Sequence, residues 1–336
     1  MREAILWDHE GDRIRCHVCP NACLIADGGR GVCGVRENHG GVLKALTYGL
    51  VSSVAVDPIE KKPVFHYRPG TRVLSLGSAG CSMRCGHCQN WQISRARPTA
   101  DGLSTLMPGE VVPLACAHGC EGVAFTYNEP VIWIEYVLDA AVECHASGLF
   151  TVMVTNGFIT AEALDVIAPH LDVWRVDVKG FSDETYRWLC KVHSVAPVLA
   201  AAERAKQRWG LHVEVVTNVI PGINDDDETL HGIAAWIARA LGADTPWHVT
   251  RFFPYLDLAD RNPTPIATLR RARDIGLAEG LHFVYLGNVD EPGGEDTKCP
   301  QCGAIALGRD GYTITAHNTR GGACAACGTP LGIVET

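Results

Sequence analysis

From residue 72 onward, short runs of apolar, β-branched and aromatic residues alternate with longer segments whose apolar positions recur three and four apart. The candidate strands are "RVLSLG" (72–77), "GVAFTY" (122–127), "FTVMVTN" (150–156), "DVWRVDV" (172–178), "LHVEVVTNVI" (211–220), "WHVTRFF" (247–253) and "LHFVYLG" (281–287). Helical patterns fill the gaps. "PVIWIEYVLDAAVECHASG" opens on a proline, which suits a first helical turn, and stops at glycine, while "SDETYRWLC" opens on Ser182 as an N-cap. Six or seven βα units predict a parallel sheet, either doubly wound or wrapped as a barrel. Polar residues recur where these strands end: Asn128 and Glu129, Thr155 to Gly157, Asp177 and Lys179, Asn218, and Arg251. In parallel α/β folds that edge is where ligands bind.

Composition narrows the class. The chain has 336 residues, 47% hydrophobic and 20% charged, ordinary globular usage with room for a large core. The opening "MREAILWDHEGD" has no apolar run of signal-peptide length, and no later segment approaches 18 uncharged apolar residues, so a cytoplasmic protein is expected. The net charge of −9 is concentrated in the middle of the chain, which disfavours bulk nucleic-acid binding.

Cysteine usage changes the picture most. Fifteen cysteines in a reducing compartment argue for metal or cluster ligation rather than disulfides. Eleven fall in three groups: Cys16, Cys19, Cys23 and Cys33; Cys81, Cys85 and Cys88; and Cys299, Cys302, Cys324 and Cys327. Cys116 and Cys120, four apart on an expected helix, read as two buried small hydrophobes, and Cys144 and Cys190 sit in apolar helical context. The middle group, C-x3-C-x2-C, follows the first strand of the alternating region and stops one short of a closed four-ligand site. An array with an open position is what a catalytic metal centre needs, and thiolates are the ligands of iron–sulfur clusters.

On these residues the sequence resembles the radical S-adenosylmethionine (SAM) superfamily, and the region after residue 71 looks like its branch related to glycyl-radical-enzyme activases. The strings "CHVCPNACLIADGGRGVCGVR", "DPIEKKPVFHY", "GCSMRCGHCQNWQIS", "AFTYNEP", "VDVKGFSDE", "IPGINDD" and "WHVTRFFP", in that order, are similar to the radical SAM enzymes of the AmmeMemoRadiSam system. The resemblance implies a partial (β/α)6 TIM-like barrel over residues 71–295, carrying a [4Fe–4S] cluster on Cys81, Cys85 and Cys88 whose fourth iron takes the amino and carboxylate groups of SAM. It also implies reductive SAM cleavage to a 5′-deoxyadenosyl radical that abstracts a substrate hydrogen. Tyr127, Asn128 and Glu129 then fall near the SAM amino group, Thr155 and Asn156 on the ribose side, and Asp177 and Lys179 near the carboxylate. Two positions depart from the pattern: His87 stands where the family has a bulky apolar or aromatic residue, and Leu256 stands where many activases have histidine. His248 and Arg251 are the remaining candidates for chemistry in the barrel mouth. The implied partners are a flavodoxin- or ferredoxin-type electron donor, with AMMECR-domain and Memo-like proteins, and no membrane or nucleic acid. An activase that makes a glycyl radical on a partner enzyme, and a non-catalytic zinc-binding interaction protein, are the alternative functions.

The outer cysteines flank that barrel. Cys299 with Cys302 and Cys324 with Cys327 form two C-x2-C knuckles, each followed by glycine, and predict a zinc ribbon over residues 296–336. Such a small element depends on its metal to fold. Its expected role is structural, or gating if it covers the barrel mouth. Cys16, Cys19, Cys23 and Cys33 also count to four within an N-terminal module of residues 1–70, and predict either zinc or an auxiliary cluster.

Overall fold

A computed structural model describes residues 1–98 and 102–335. Eight strands form its central sheet: β1 (Ser53–Pro58), β2 (Arg72–Gly77), β3 (Gly122–Phe125), β4 (Phe150–Thr155), β5 (Val173–Asp177), β6 (His212–Val219), β7 (Trp247–Arg251) and β8 (Val284–Gly287). Strands β2 to β8 run parallel in chain order, and β1 pairs antiparallel on the outer side of β2. The sheet is an open, barrel-like wall of βα units with seven parallel strands and an added antiparallel edge. All seven predicted strands are present, trimmed by a few residues at their ends.

The helices follow their caps. Pro130 opens a short 3-10 turn that continues into the helix Ile134–Ala146, and the Ser182 side chain accepts from the Thr185 amide. Beyond Thr185 the helix widens into a π-helical turn over Tyr186–Cys190, a distortion often found at functional sites. One cysteine expectation fails. The helix Pro108–Ala117 ends before Cys120, so Cys116 is exposed while Cys120 is buried in the turn that follows, and the two do not share a buried helix face.

The N-terminal module is two small antiparallel sheets packed on the barrel helix Ile134–Ala146. A buried ion pair fixes it there: Arg36 Nη2 lies 2.6 Å from Glu135 Oε1, and the Ile5 amide donates to the same oxygen at 2.8 Å. At the other end, Ile305–Asp310 and Thr313–His317 make the ribbon's hairpin. Its apolar face, with Ala306, Leu307, Leu331 and Ile333, packs on Phe65, Phe283 and Tyr285. Among the described residues, no helix is long and apolar enough to cross a membrane.

Candidate active site

A cavity of about 610 Å³ opens at the C-terminal edge of the parallel strands. Cys81, Cys85 and Cys88 line it, together with all nine other residues expected near SAM or in the mouth: Tyr127, Asn128, Glu129, Thr155, Asn156, Asp177, Lys179, His248 and Arg251. That convergence follows from topology: eight of these nine residues sit at or just past the ends of β3, β4, β5 and β7, His248 lies near the start of β7, and the cysteine loop leaves the end of β2.

The cysteine loop is held from both sides. The amides of Arg84 and Gly86 donate to the carbonyls of Cys190 and Leu189 on the π-helical turn, and Asn128 Nδ2 donates to Gly80 O at 3.0 Å. Asn128 Oδ1 also accepts from the Ser78 amide at 2.9 Å, so this side chain braces the loop from the cavity wall. Asn156 Nδ2 reaches Ser82 Oγ at 3.2 Å and lies 3.6 Å from Cys81 Sγ. Burial pushes the Cys81 and Cys88 thiols up. Cys85 is held below its ordinary range by the adjoining Cys190 thiol and by the Lys179 ammonium, against the effect of burial. Cys190 therefore belongs to the site although its apolar sequence context hides it.

Glu129 is buried and has its acceptor positions filled. Its carboxylate accepts from Val131 N at 3.0 Å, Thr155 Oγ1 at 2.6 Å and Asn156 N at 2.8 Å. Burial raises its pKa to about 7 against those bonds. It thus ties the end of β3 to the turn after β4, and caps the 3-10 turn that begins at Pro130. Tyr127 adopts φ +72°, and its hydroxyl donates to Asp57 Oδ2 at 2.9 Å. Asp57 belongs to the "DPIEKKPVFHY" string, which brings Lys62 and Phe65 into the cavity wall as well.

Asp177 and Lys179 form the charged end. Lys179 Nζ is 3.0 Å from Asp177 Oδ2, and Arg175 Nη1 is 2.7 Å from Asp177 Oδ1. Burial opposes the Lys179 charge, but Asp177 and Cys85 outweigh it and raise the pKa, so the ammonium is kept at neutral pH. Burial, reinforced by the Lys179 charge, pushes His87 down to about 3. A neutral imidazole results, and its Nδ1 has no hydrogen-bond partner among the described residues. His87 thus offers a flat, uncharged ring at the cavity wall, close in character to the bulky residue the pattern has there.

His248 and Arg251 are on the wall but already engaged. His248 Nε2 lies 2.6 Å from Glu214 Oε2 in a buried cluster that also takes His212 and the amides of Phe65 and His66. Arg251 Nε donates to Thr264 O at 3.0 Å. Glu214 could have been found from sequence only by its inward register on β6. The ribbon closes one side of the cavity with Gly311 and Tyr312, and Glu295 precedes it.

These residues fit a SAM-bound cluster. Three cysteines line the cavity, a buried cation–carboxylate pair stands beside Cys85, and the wall includes the His87 ring, whose buried Nδ1 has no partner among the described residues. At the opposite end of the chain, Cys299 Sγ and Cys327 Sγ are 3.5 Å apart and Cys302 Sγ and Cys324 Sγ 3.8 Å apart, with all four thiols within 4.8 Å of one another. That spacing fits a tetrahedral thiolate site, whose sulfurs lie about 3.8 Å apart for 2.3 Å bonds to zinc.

Comparison with known proteins agrees. The radical SAM superfamily model matches residues 76–233, from the end of β2 into the helix after β6. An uncharacterized protein of Methanocaldococcus jannaschii is 42% identical over 99% of this chain and 100% of its own length. The pyruvate formate-lyase 1-activating enzyme of Escherichia coli is 28% identical over 48% of this chain and 67% of its own. In fold, the crystal structure of a radical SAM methyltransferase from Sphaerobacter thermophilus superposes with a TM-score of 0.51 at 16% identity, covering 65% of this chain and 66% of that one. With the three-cysteine loop at the mouth of a parallel α/β wall, these matches identify the chain as an enzyme of the radical SAM superfamily.

Proposed function

We propose that the protein binds a [4Fe–4S] cluster through Cys81, Cys85 and Cys88 and cleaves SAM reductively in the cavity at the strand ends. The observation that carries this reading is the shared cavity: three thiols, Lys179 beside Asp177, and the Glu129–Thr155–Asn156 strap face one volume large enough for SAM and part of a substrate. When bound, the cluster supplies one electron to the sulfonium, giving methionine and a 5′-deoxyadenosyl radical that abstracts hydrogen from the substrate. The chain's own residues do the rest. Lys179 offers a buried ammonium to a carboxylate, and Asp177 keeps it charged and oriented. Thr155 and Asn156 hold the ribose side in place through Glu129. His87 presents a neutral ring to the adenine. Tyr312 and the ribbon limit water access on the open side.

The substrate class follows less directly. The match to an enzyme named for activating pyruvate formate-lyase supports the reading that this protein acts on a partner protein, making a glycyl radical there. The AmmeMemoRadiSam resemblance supports the companion reading that AMMECR-domain and Memo-like proteins are its partners, with a flavodoxin- or ferredoxin-type donor in the cytoplasm. The ribbon thiols support zinc. Anaerobic reduction with SAM tests the chemistry. The wild-type protein is expected to form 5′-deoxyadenosine, and Cys85→Ala to lose both that product and the SAM-responsive electron paramagnetic resonance signal. Undiminished product from Cys85→Ala overturns the assignment of the cluster to this loop, and no SAM binding by the wild type in calorimetry overturns the reading in favour of a zinc-binding interaction protein.

A further inference from the structure

The N-terminal cysteines are built differently from the ribbon's. Among the described residues, the ribbon's four thiols are the group of three or more cysteine, histidine or acidic side chains whose ligand atoms all lie within 4.8 Å. Cys16, Cys19, Cys23 and Cys33 also line one small pocket, with Val18, Ile25 and Ile132, but no three of their sulfurs lie within 4.8 Å of one another. Between them is a void of about 10 Å³, room for one water-sized sphere. A zinc ion bonded at 2.3 Å to four thiolates leaves no such void. The wider spacing is shared with Cys81, Cys85 and Cys88, the site whose superfamily chemistry is a cluster.

The surroundings also suit a cluster. A [4Fe–4S] core with four thiolates carries net negative charge, and it is stabilised by hydrogen bonds to its sulfurs and by exclusion of solvent. Val32 N donates to Cys23 Sγ at 3.4 Å. Arg36, only 2% exposed, lines the same pocket. Its two Nη atoms are engaged by Glu135 and the Ile5 carbonyl, while its buried Nε has no partner among the described residues. A donor left free in the wall of a cysteine-lined void is accounted for by a sulfur-rich anion inside it.

The two cysteine sets abut. Gly80, next to Cys81, has φ +88°, and a Cβ there would lie 2.6 Å from the Cys33 carbonyl oxygen. Asn21 Nδ2 donates to Ser82 O at 2.8 Å, and Arg84 Nη2 to Val32 O at 2.8 Å. Only glycine at position 80 lets the loops approach this closely.

We propose that Cys16, Cys19, Cys23 and Cys33 hold a second [4Fe–4S] cluster, not zinc, and that it exchanges single electrons with the cluster at Cys81, Cys85 and Cys88. The exchange rests on the cluster assignment made above; the site itself does not. A low-potential one-electron donor protein reduces one cluster. That electron then moves to the other, so that one is reoxidised as its neighbour is reduced, and no bond is made or broken in the transfer.

Metal analysis of the full chain, reconstituted anaerobically, tests the site. The expected content is about eight irons and one zinc. The Cys81→Ala/Cys85→Ala/Cys88→Ala variant is expected to keep about four irons and a visible thiolate-to-iron band, and Cys19→Ser/Cys33→Ser to keep about four at the other site. About four irons with two zincs in the wild type, and none in the triple variant, overturns the second cluster and leaves the SAM site standing. About four irons in both the wild type and the triple variant means the reverse: the N-terminal cluster stands and the SAM-site assignment falls. The paramagnetic resonance spectrum of the fully reduced wild type is expected to be broadened by spin coupling. A spectrum equal to the sum of the two variants' spectra refutes the exchange.

Discussion

Glu129 accepts hydrogen bonds from three donors on two strand ends, and so sets where Thr155 and Asn156 point. Replacing it with alanine strands a buried hydroxyl and two buried amides, each costing about 1–3 kcal/mol when unpaired. Glu129→Ala is therefore expected to lose about 3 kcal/mol of unfolding free energy, allowing for partial relaxation, in urea titration followed by circular dichroism. SAM affinity is expected to fall with it, because Asn156 also braces Ser82 in the cysteine loop. Unchanged stability would show that the strap is not formed. Glu295, at the barrel–ribbon junction, gives the pH prediction. Burial, with Asp296 adding and Arg309 opposing, raises its pKa from 4.5 to about 7. The fold therefore favours the protonated carboxyl: the stabilisation is complete below pH 4.5 and is lost as pH rises through about 7. Because Glu295 is only partly buried, screening reduces the effect to about 1–2 kcal/mol. Glu295→Gln is expected to flatten the stability profile by that amount between pH 5 and pH 8, and identical wild-type and variant profiles would exclude the shift.

At the scale of elements, the N-terminal module is joined to the barrel through the Arg36–Glu135 pair, with both side chains almost fully buried. Removing one partner of such a pair leaves an uncompensated charge and costs about 3–5 kcal/mol, whereas replacing both with apolar residues is often neutral. Glu135→Leu is expected to destabilise by that amount, and Arg36→Met/Glu135→Leu to recover part of it in the same chemical denaturation assay, the rest being the Ile5 amide and carbonyl that the two side chains also serve. A double variant as unstable as the single one would show that an unpaired Arg36 charge is not what destabilises Glu135→Leu. Neither residue announces this role in sequence, since Glu135 sits in an otherwise ordinary helical run and Arg36 opens a short strand of the N-terminal module. The strands were legible for a different reason. "RVLSLG" and "FTVMVTN" are apolar runs bounded by polar residues, a local signal, and the strand-end residues Asp177 and Lys179 stand out against it. The strand β1 was not legible, because "SVAVDP" has two half-exposed valines and pairs only at the sheet's edge. Cys190 and Glu214 were missed because their importance is purely tertiary: one lies against Cys85 from the end of the π-helical turn, the other gathers His212 of its own strand and His248 of the neighbouring one.

At the scale of the whole molecule, both cysteine-rich ends lean on the barrel mouth, and the ribbon does so as a wall of the cavity. Its metal site and its contact with the barrel are mechanically linked. Cys299 and Cys324 are buried in the same apolar cluster as Phe65, Phe283 and Tyr285. Arg309 spans the boundary, with its guanidinium 4.1 Å above the Phe65 ring and Nη2 donating to the Phe65 carbonyl. Phe65 in turn lines the cavity and donates its amide to Glu214. A ribbon without its ion has too little core to hold this face, so losing the metal should disturb the cavity wall without touching the cysteine loop. Cys302 and Cys327 are exposed and therefore remove the ion with the least packing cost. The Cys302→Ser/Cys327→Ser variant is expected to lose its zinc, become sensitive to limited proteolysis between residues 297 and 335, and retain the iron content of the wild type. With the Tyr312 side of the cavity open to water, SAM cleavage without substrate is expected to rise relative to the wild type, measured as 5′-deoxyadenosine per iron. A variant that loses zinc yet resists the protease, or that loses iron with it, would show that the ribbon is not an independent wall and that its fold is shared with the barrel.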